Sequence, residues 1–155
     1  MTATIALRAA TEADADAISA VVVPFCPLAA GTPQGDAFLL SLGPEAMRAR
    51  LRESAWHFVV ALDGAQVVGV ASMRDAAQLA HLFVDRRYHG QGLARILWQA
   101  ILAHARAHGG AGDIAVNADL GAVEVYRRFG FEVAGEQRAP HGVATIPMVF
   151  KGGQA

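Results

Sequence analysis

The chain has 155 residues, of which 54% are hydrophobic and 17% charged, and its 13 Lys and Arg against 14 Asp and Glu leave a formal net charge of −1. This length fits one domain with its own core, the composition excludes intrinsic disorder, and the charge balance excludes a general nucleic-acid or anionic-membrane binder, which needs a basic excess. Cys26 is the only cysteine, so neither an intrachain disulfide nor a cysteine zinc site is available.

The first residues, MTATIALRAATEADA, turn acidic where a signal peptide carries its apolar run. The longest apolar stretch, Ala17 to Ala30, is broken by Ser19, Pro24 and Pro27 and falls short of the roughly 20 residues of a membrane span. The expectation is a soluble, cytoplasmic domain over residues 1–155, with neither nucleic acid nor membrane as partner. Ile5 to Arg8 reads as a short strand, and Thr11 followed by Glu12 and Asp14 predicts a capped helix to about Val23. Pro24 to Asp36 holds three prolines and two glycines and reads as a loop. Helix resumes over Pro44 to Glu53, with Met47 and Leu51 on one face.

Trp56 to Leu62 and Ala65 to Met73 flank Asp63-Gly64, the residue pair of a tight hairpin turn. Gln78 to Val84 adds a third strand to this meander. Gly90-Gln91-Gly92 then opens a helix to His108, which Gly109-Gly110 ends. Asp113 to Val116 is a short buried strand, and Asp119 is placed to cap a helix to Phe129 that Gly130 terminates. Phe131 to Glu136 and Val143 to Phe150 are the last strands, joined by a loop around Pro140 to Gly142. The predicted order, β-α-α-β-β-β-α-β-α-β-β, is a single α/β domain on a mixed sheet.

The segment from Leu82 to Leu97, LFVDRRYHGQGLARIL, runs from an apolar strand through a basic loop with two glycines into a helix N-terminus. Bare backbone N–H groups and the helix dipole attract phosphate there, and Arg86, Arg87, His89 and Arg95 add local positive charge. A helix start that uses glycine for close packing is the other reading of these residues. No Gly-Lys-Ser/Thr follows, and the dinucleotide spacing Gly-x-Gly-x-x-Gly fails at Arg95, so neither of those phosphate loops is present.

The segment resembles the acetyl-CoA loop of the GNAT N-acetyltransferase superfamily, Gln/Arg-x-x-Gly-x-Gly/Ala, with His89, Gly92 and Ala94 at the three positions. His89 departs from the usual Gln or Arg. The stretch Asn117 to Phe131, NADLGAVEVYRRFGF, is similar to the family's pattern of Asn, Ala, Tyr and Gly-Phe at fixed spacing. The likeness covers nearly the whole chain, and Gly142 to Met148 looks like the last strand of a subset of small bacterial members.

The resemblance implies acetyl-CoA as co-substrate and no metal. It implies that main-chain groups of Leu82 and Val84 meet the thioester and pantetheine and stabilise the oxyanion, and that His89, Gly90, Gln91, Gly92, Leu93 and Ala94 cradle the pyrophosphate. Asn117, just past the next strand, would hold the cofactor arm where two strands splay apart; a capping or turn Asn is the alternative. Tyr126 would protonate the departing thiolate, a task suited to a phenol with pKa of about 10, unless it is a packing residue of the last helix. His81 stands where family members often hold a Glu and is the candidate base; a buried strand histidine with a satisfied hydrogen bond is the other reading. Asp75 and His141 are reserves for that role.

Phe25, Cys26, Phe38 and Met73 fall where the resemblance puts the acceptor pocket, which suggests a small or amphipathic amine; the same residues read equally well as core. Arg48, Arg50 and Arg52 alternate around a helix and read as a solvated face. His57, His104 and His108 read as surface or interface residues. The implied activity is acetyl transfer to a primary amine of a small molecule by direct attack in a ternary complex, with a homodimer allowed. A protein or peptide N-terminus or lysine as acceptor, and a non-catalytic acyl-CoA sensor, remain the alternatives; a covalent acetyl on Cys26 is a minor one, given its flanking prolines and lack of an adjacent histidine.

Overall fold

The computed structural model describes residues 4–28, 30–110, 112–139 and 142–153. The strands are β1 (Ile5–Ala9), β2 (Trp56–Asp63), β3 (Gln66–Arg74), β4 (Gln78–Val84), β5 (Ile114–Asp119), β6 (Glu132–Val133) and β7 (Thr145–Phe150). The helices are α1 (Ala15–Val22), α2 (Pro33–Leu42), α3 (Pro44–Arg52), α4 (Leu93–Ala107) and α5 (Val123–Arg128). The strands form a seven-stranded sheet in the order β1-β2-β3-β4-β5-β7-β6. Every pairing is antiparallel except β4 with β5, which the α4 crossover makes parallel.

The central strands β2 and β3 are covered on both faces, which is why the sequence there is apolar without alternation. Phe58, Val60 and Leu62 pack with Val67 and Val70 against Ile18 and Val22 of α1, Leu42 of α2 and Met47 of α3. Val59, Ala61, Val68, Ala71 and Met73 face the opposite way, onto Leu93, Leu97, Trp98 and Ile101 of α4. Those α4 residues and Ala105 recur at helical spacing and form its buried stripe. Burying each large aliphatic side chain contributes about 1.5–3 kcal/mol.

Apart from a register shift between β2 and β3 at Ala61 and Leu62, two irregularities of the sheet bear on the site. Ser72 pairs with His81 while Met73 pairs with Leu79, so Ala80 is an extra residue in β4. This bulge breaks the alternation: Leu79 faces the α4 side, whereas His81, two residues on, turns toward Phe58 on the side of α1 to α3. The second irregularity lies between β4 and β5, whose register is limited to Gln78 opposite Ala115. Beyond that point the strands separate, leaving the edge of β4 through Val84 free on that side.

Several boundaries differ from expectation. Residues 33–36, read as loop, begin α2: the Thr32 side chain accepts a hydrogen bond from the Gly35 N–H at 3.0 Å, and Pro33 sits in the first turn, where its missing N–H is no loss. The density of proline and glycine around it hid that signal. β5 runs to Asp119, whose side chain makes no capping hydrogen bond and is followed by a 3-10 turn, Leu120–Ala122. The expected strand from Phe131 to Glu136 shortens to Glu132–Val133.

Candidate active site

The separation of β4 from β5 opens a cleft of about 1070 Å³ that continues past the end of β4 to α2 and α3. One end is made of backbone. Gly90 and Gly92 take φ of +77° and +76°, left-handed values that glycine adopts without strain, and a Cβ at either would meet nothing within 4 Å. Gly92 is the N-cap of α4, a 15-residue helix with no side-chain cap and no acid in its first turn. The first N–H groups of a long helix therefore meet an open space bordered by Arg95 and Arg128. These features fit a pyrophosphate.

His89, Gly90, Gly92, Leu93 and Ala94 line this end, and Gln91, expected with them, does not. The His89 ring stacks near Phe25, with centroids 6.1 Å apart, and its Nε2 donates to the Val84 carbonyl at 2.7 Å. This bond spends the Nε2 donor on the protein's own backbone rather than on a phosphate. The bond also occupies the Val84 carbonyl, one of the main-chain groups the resemblance offers to the cofactor arm. The basic loop contributes less charge than its composition suggests, because Arg87 pairs with Asp85 at 2.9 Å and Arg86 lies over the Phe25 ring. Arg128, which sequence reasoning passed over, lines the cleft from the far end of α5.

Leu82, Val84, Asn117 and Tyr126 line the middle of the cleft. Asn117 lies within β5, opposite Pro147 of β7, rather than beyond the strand. The Tyr126 ring packs edge-on against Phe129 and Phe131. Burial, and then the nearby Asp119 carboxylate, push its phenol well above the ordinary value, so it stays protonated.

The other end is made of side chains. Phe25, Pro27, Phe38, Leu42 and Trp56 give it an apolar wall, and His81 and Arg50 face it. His81 is 8% exposed, and its Nδ1 lies 2.6 Å from Oγ of the fully buried Ser72. With Nδ1–H donated to Ser72, Nε2 is left as an acceptor on a ring that lines the cleft. Desolvation, and then the Arg50 charge, push His81 down to about 3, so the ring is neutral throughout the physiological range. Arg50 is a correction to the sequence reading: Arg48 and Arg52 pair with Asp16 and Glu12 on the outer face, but Arg50 turns inward.

Three more residues considered for the site, Met73, Cys26 and Asp75, lie away from the cleft lining. Met73 is core beneath α4, and Cys26, whose Sγ meets the Leu28 carbonyl at 3.6 Å, packs against the α1 to α3 cluster; neither lines the cleft. Asp75 pairs with Arg74 at 3.7 Å and borders a separate, smaller cavity. His141 lies outside the described residues. His57, His104 and His108 border that smaller cavity too, as a stack with centroids 3.2 and 4.0 Å apart rather than as separate surface residues. Among the described residues no group of three His, Cys, Asp or Glu is placed to hold a metal ion.

Residues 26–151 match the family model described as acetyltransferase (GNAT) domain. N-acetyltransferase 8 of Mus musculus is 36% identical over 90 residues; that match spans 51% of this chain and 40% of the mouse protein. Among solved structures, a GCN5-related N-acetyltransferase from Rhodopseudomonas palustris is similar at TM-score 0.78 and 23% identity, covering 97% of this chain and 98% of that one. PaiA N-acetyltransferase from Thermoplasma acidophilum, in complex with coenzyme A, is similar at TM-score 0.79 and 14% identity over 96% and 99%. The ribosomal-protein-S18-alanine N-acetyltransferase from Escherichia coli is similar at TM-score 0.72 and 16% identity over 98% and 96%.

Proposed function

The chain belongs to the GNAT acetyltransferase family, and from that premise we propose that it transfers the acetyl group of acetyl-CoA to a primary amine of a small molecule by direct attack in a ternary complex. The observation that carries this reading is the continuity of one cleft from the α4 N-terminus, along the freed edge of β4, to the recess under α2 and α3. A donor on the backbone-built end and an acceptor in the side-chain-built end would meet beside β4. Holding both reactants there supplies proximity without a covalent enzyme intermediate. The coenzyme A bound to the Thermoplasma relative supports the choice of donor.

When bound, acetyl-CoA supplies an activated acyl thioester. Gly90, Gly92, Leu93 and Ala94 hold its pyrophosphate through main-chain N–H groups, and Asn117 and the main chain of Leu82 position the arm. Tyr126, kept protonated by its surroundings, gives its proton to the departing sulfur. His81, kept neutral, receives the proton released by the nitrogen as it acquires the acetyl group. That proton is far more acidic than one on a free ammonium ion, so a weak base suffices.

Release of CoA over a panel of amines tests the proposal, with the melting temperature in millimolar acetyl-CoA as a parallel reading of binding. Turnover with small amines supports it. Turnover with peptide N-termini alone moves the acceptor to proteins, and a raised melting temperature without any turnover identifies an acyl-CoA sensor.

A further inference from the structure

Arg50 is the feature of the cleft that acetyl transfer in general leaves unexplained. Its guanidinium is partly buried, donates to the Ser41 carbonyl at 2.6 Å, and lies over the Trp56 ring at 5.4 Å from its centroid. Among the described residues no carboxylate stands within ion-pair distance of it, although its neighbours Arg48 and Arg52 on the same helix both have one. Burial pushes its pKa down without neutralising it, because a guanidinium holds its proton at any physiological pH. The Glu53 carboxylate opposes that shift without reaching ion-pair distance, so the cation is partly desolvated and lacks a direct carboxylate partner, and its planar fork matches a carboxylate. Among the described residues that line the cleft, Asp119 is the only acid, and it sits beside Tyr126 in the middle.

We propose that Arg50 binds the carboxylate of the acceptor, so that the substrate class is an amino carboxylate with an apolar body rather than a polyamine. This rests on the acetyl-transfer reading above. Arg50 and His81 flank the same indole, with the Trp56 and His81 centroids 6.0 Å apart. A short acceptor held by its carboxylate at Arg50 therefore presents its amine on the His81 side. Phe25, Phe38 and Leu42 cover the apolar remainder. A diamine would place its second ammonium beside the Arg50 cation, where no described residue lining that end of the cleft is an acid. A bound carboxylate also offsets the Arg50 charge, the second cause of the depressed His81 basicity, and so makes His81 a better proton acceptor once substrate is in place.

The test compares matched pairs that differ in charge: phenylalanine with phenylalaninamide, leucine with leucinamide, and 6-aminohexanoic acid with hexylamine, plus putrescine. The amino acid amides are less basic amines than the acids, so at neutral pH a larger fraction of each amide is free amine, and a preference for the acids in those pairs does not come from the supply of neutral amine. CoA release should favour the acid by at least about tenfold in kcat/KM in one or more pairs, chiefly through KM. Arg50→Gln should erase the preference and Arg50→Lys should keep part of it, with melting temperatures reporting whether each variant is folded. Calorimetric titration of the same pairs into the CoA-loaded protein reads the preference without turnover, so acid-selective binding without acetylation would sink the acetyl-transfer reading and keep the Arg50 assignment. Equal use or equal binding of acid and neutral partner in every pair, or efficient turnover of putrescine, overturns the Arg50 assignment whatever the variants do.

Discussion

The two ends of the cleft are built from different materials. The α4 end presents main-chain N–H groups, two left-handed glycines and open space, and its adjacent His89 side chain is already bonded to Val84. The α2 to α3 end presents side chains whose positions depend on one another: Ser72 orients His81, and Ser41 and Trp56 orient Arg50. Backbone recognition suits a ligand group shared by every reaction of a family, because it survives most substitutions. Side-chain recognition suits the partner that varies.

That contrast makes the first end tolerant of side-chain changes and the second intolerant, with Tyr126 serving both. Tyr126→Phe has the largest expected effect: turnover should fall by roughly 10²–10⁴-fold while the acetyl-CoA-induced rise in melting temperature is kept. Unchanged turnover would reduce Tyr126 to a packing residue. Next, Gly92→Val should weaken acetyl-CoA by well over tenfold in titration calorimetry, since a Cβ opposes the +76° φ and occupies the open space. Retained affinity would break the backbone account of that end.

The third expectation concerns acid. In the unfolded chain His81 and His57 titrate near 6.5, but in the fold burial pushes them down to about 3 and about 4. Between those values the unfolded state binds more protons, so stability falls as pH drops from about 6.5 toward 4. Thermal melts should show a falling midpoint across that window, shallower in His81→Gln; an equal slope in the variant would mean that His81 is not held neutral by its surroundings. The smallest effect belongs to His89→Ala, which should change acetyl-CoA affinity by less than about threefold at pH 8, because the ring contributes one neutral hydrogen bond within the protein and none to phosphate. If it proves more damaging than Gly92→Val, the two ends are not built differently after all.

The first end was legible in the chain because its determinants are local. Gly90 and Gly92, the helix start and the preceding strand are contiguous, and such a stretch folds into a donor-rich turn wherever it is placed. The β2–β3 hairpin, whose turn falls on Gly64 and Ala65 one residue later than the sequence places it, and the Met47 and Leu51 face of α3 are local in the same sense, set by turn preference and by a period of 3.6. Tyr126 and Asn117 were reached through the resemblance of a short segment, Asn117 to Phe131, to the family's pattern. Gln91 lies between two left-handed glycines and does not line the cleft, which residue type does not reveal.

The sequence by itself therefore determined the meander, the crossover helix, the glycine loop and the residues that follow it, since each depends on interactions among neighbours in the chain. Only the tertiary structure decided the α2 to α3 end. Arg48, Arg50 and Arg52 are equivalent as sequence, two residues apart on one helix, and the packing of α3 beside α2 and Trp56 selects Arg50 alone to face the cleft. Likewise an extra residue at Ala80, visible only in the pairing of β4 with β3, turns His81 away from α4 and toward the recess under α2 and α3. A side chain's direction in a bulged strand or on a helix is set by what packs against that element, and those partners lie far away in the chain.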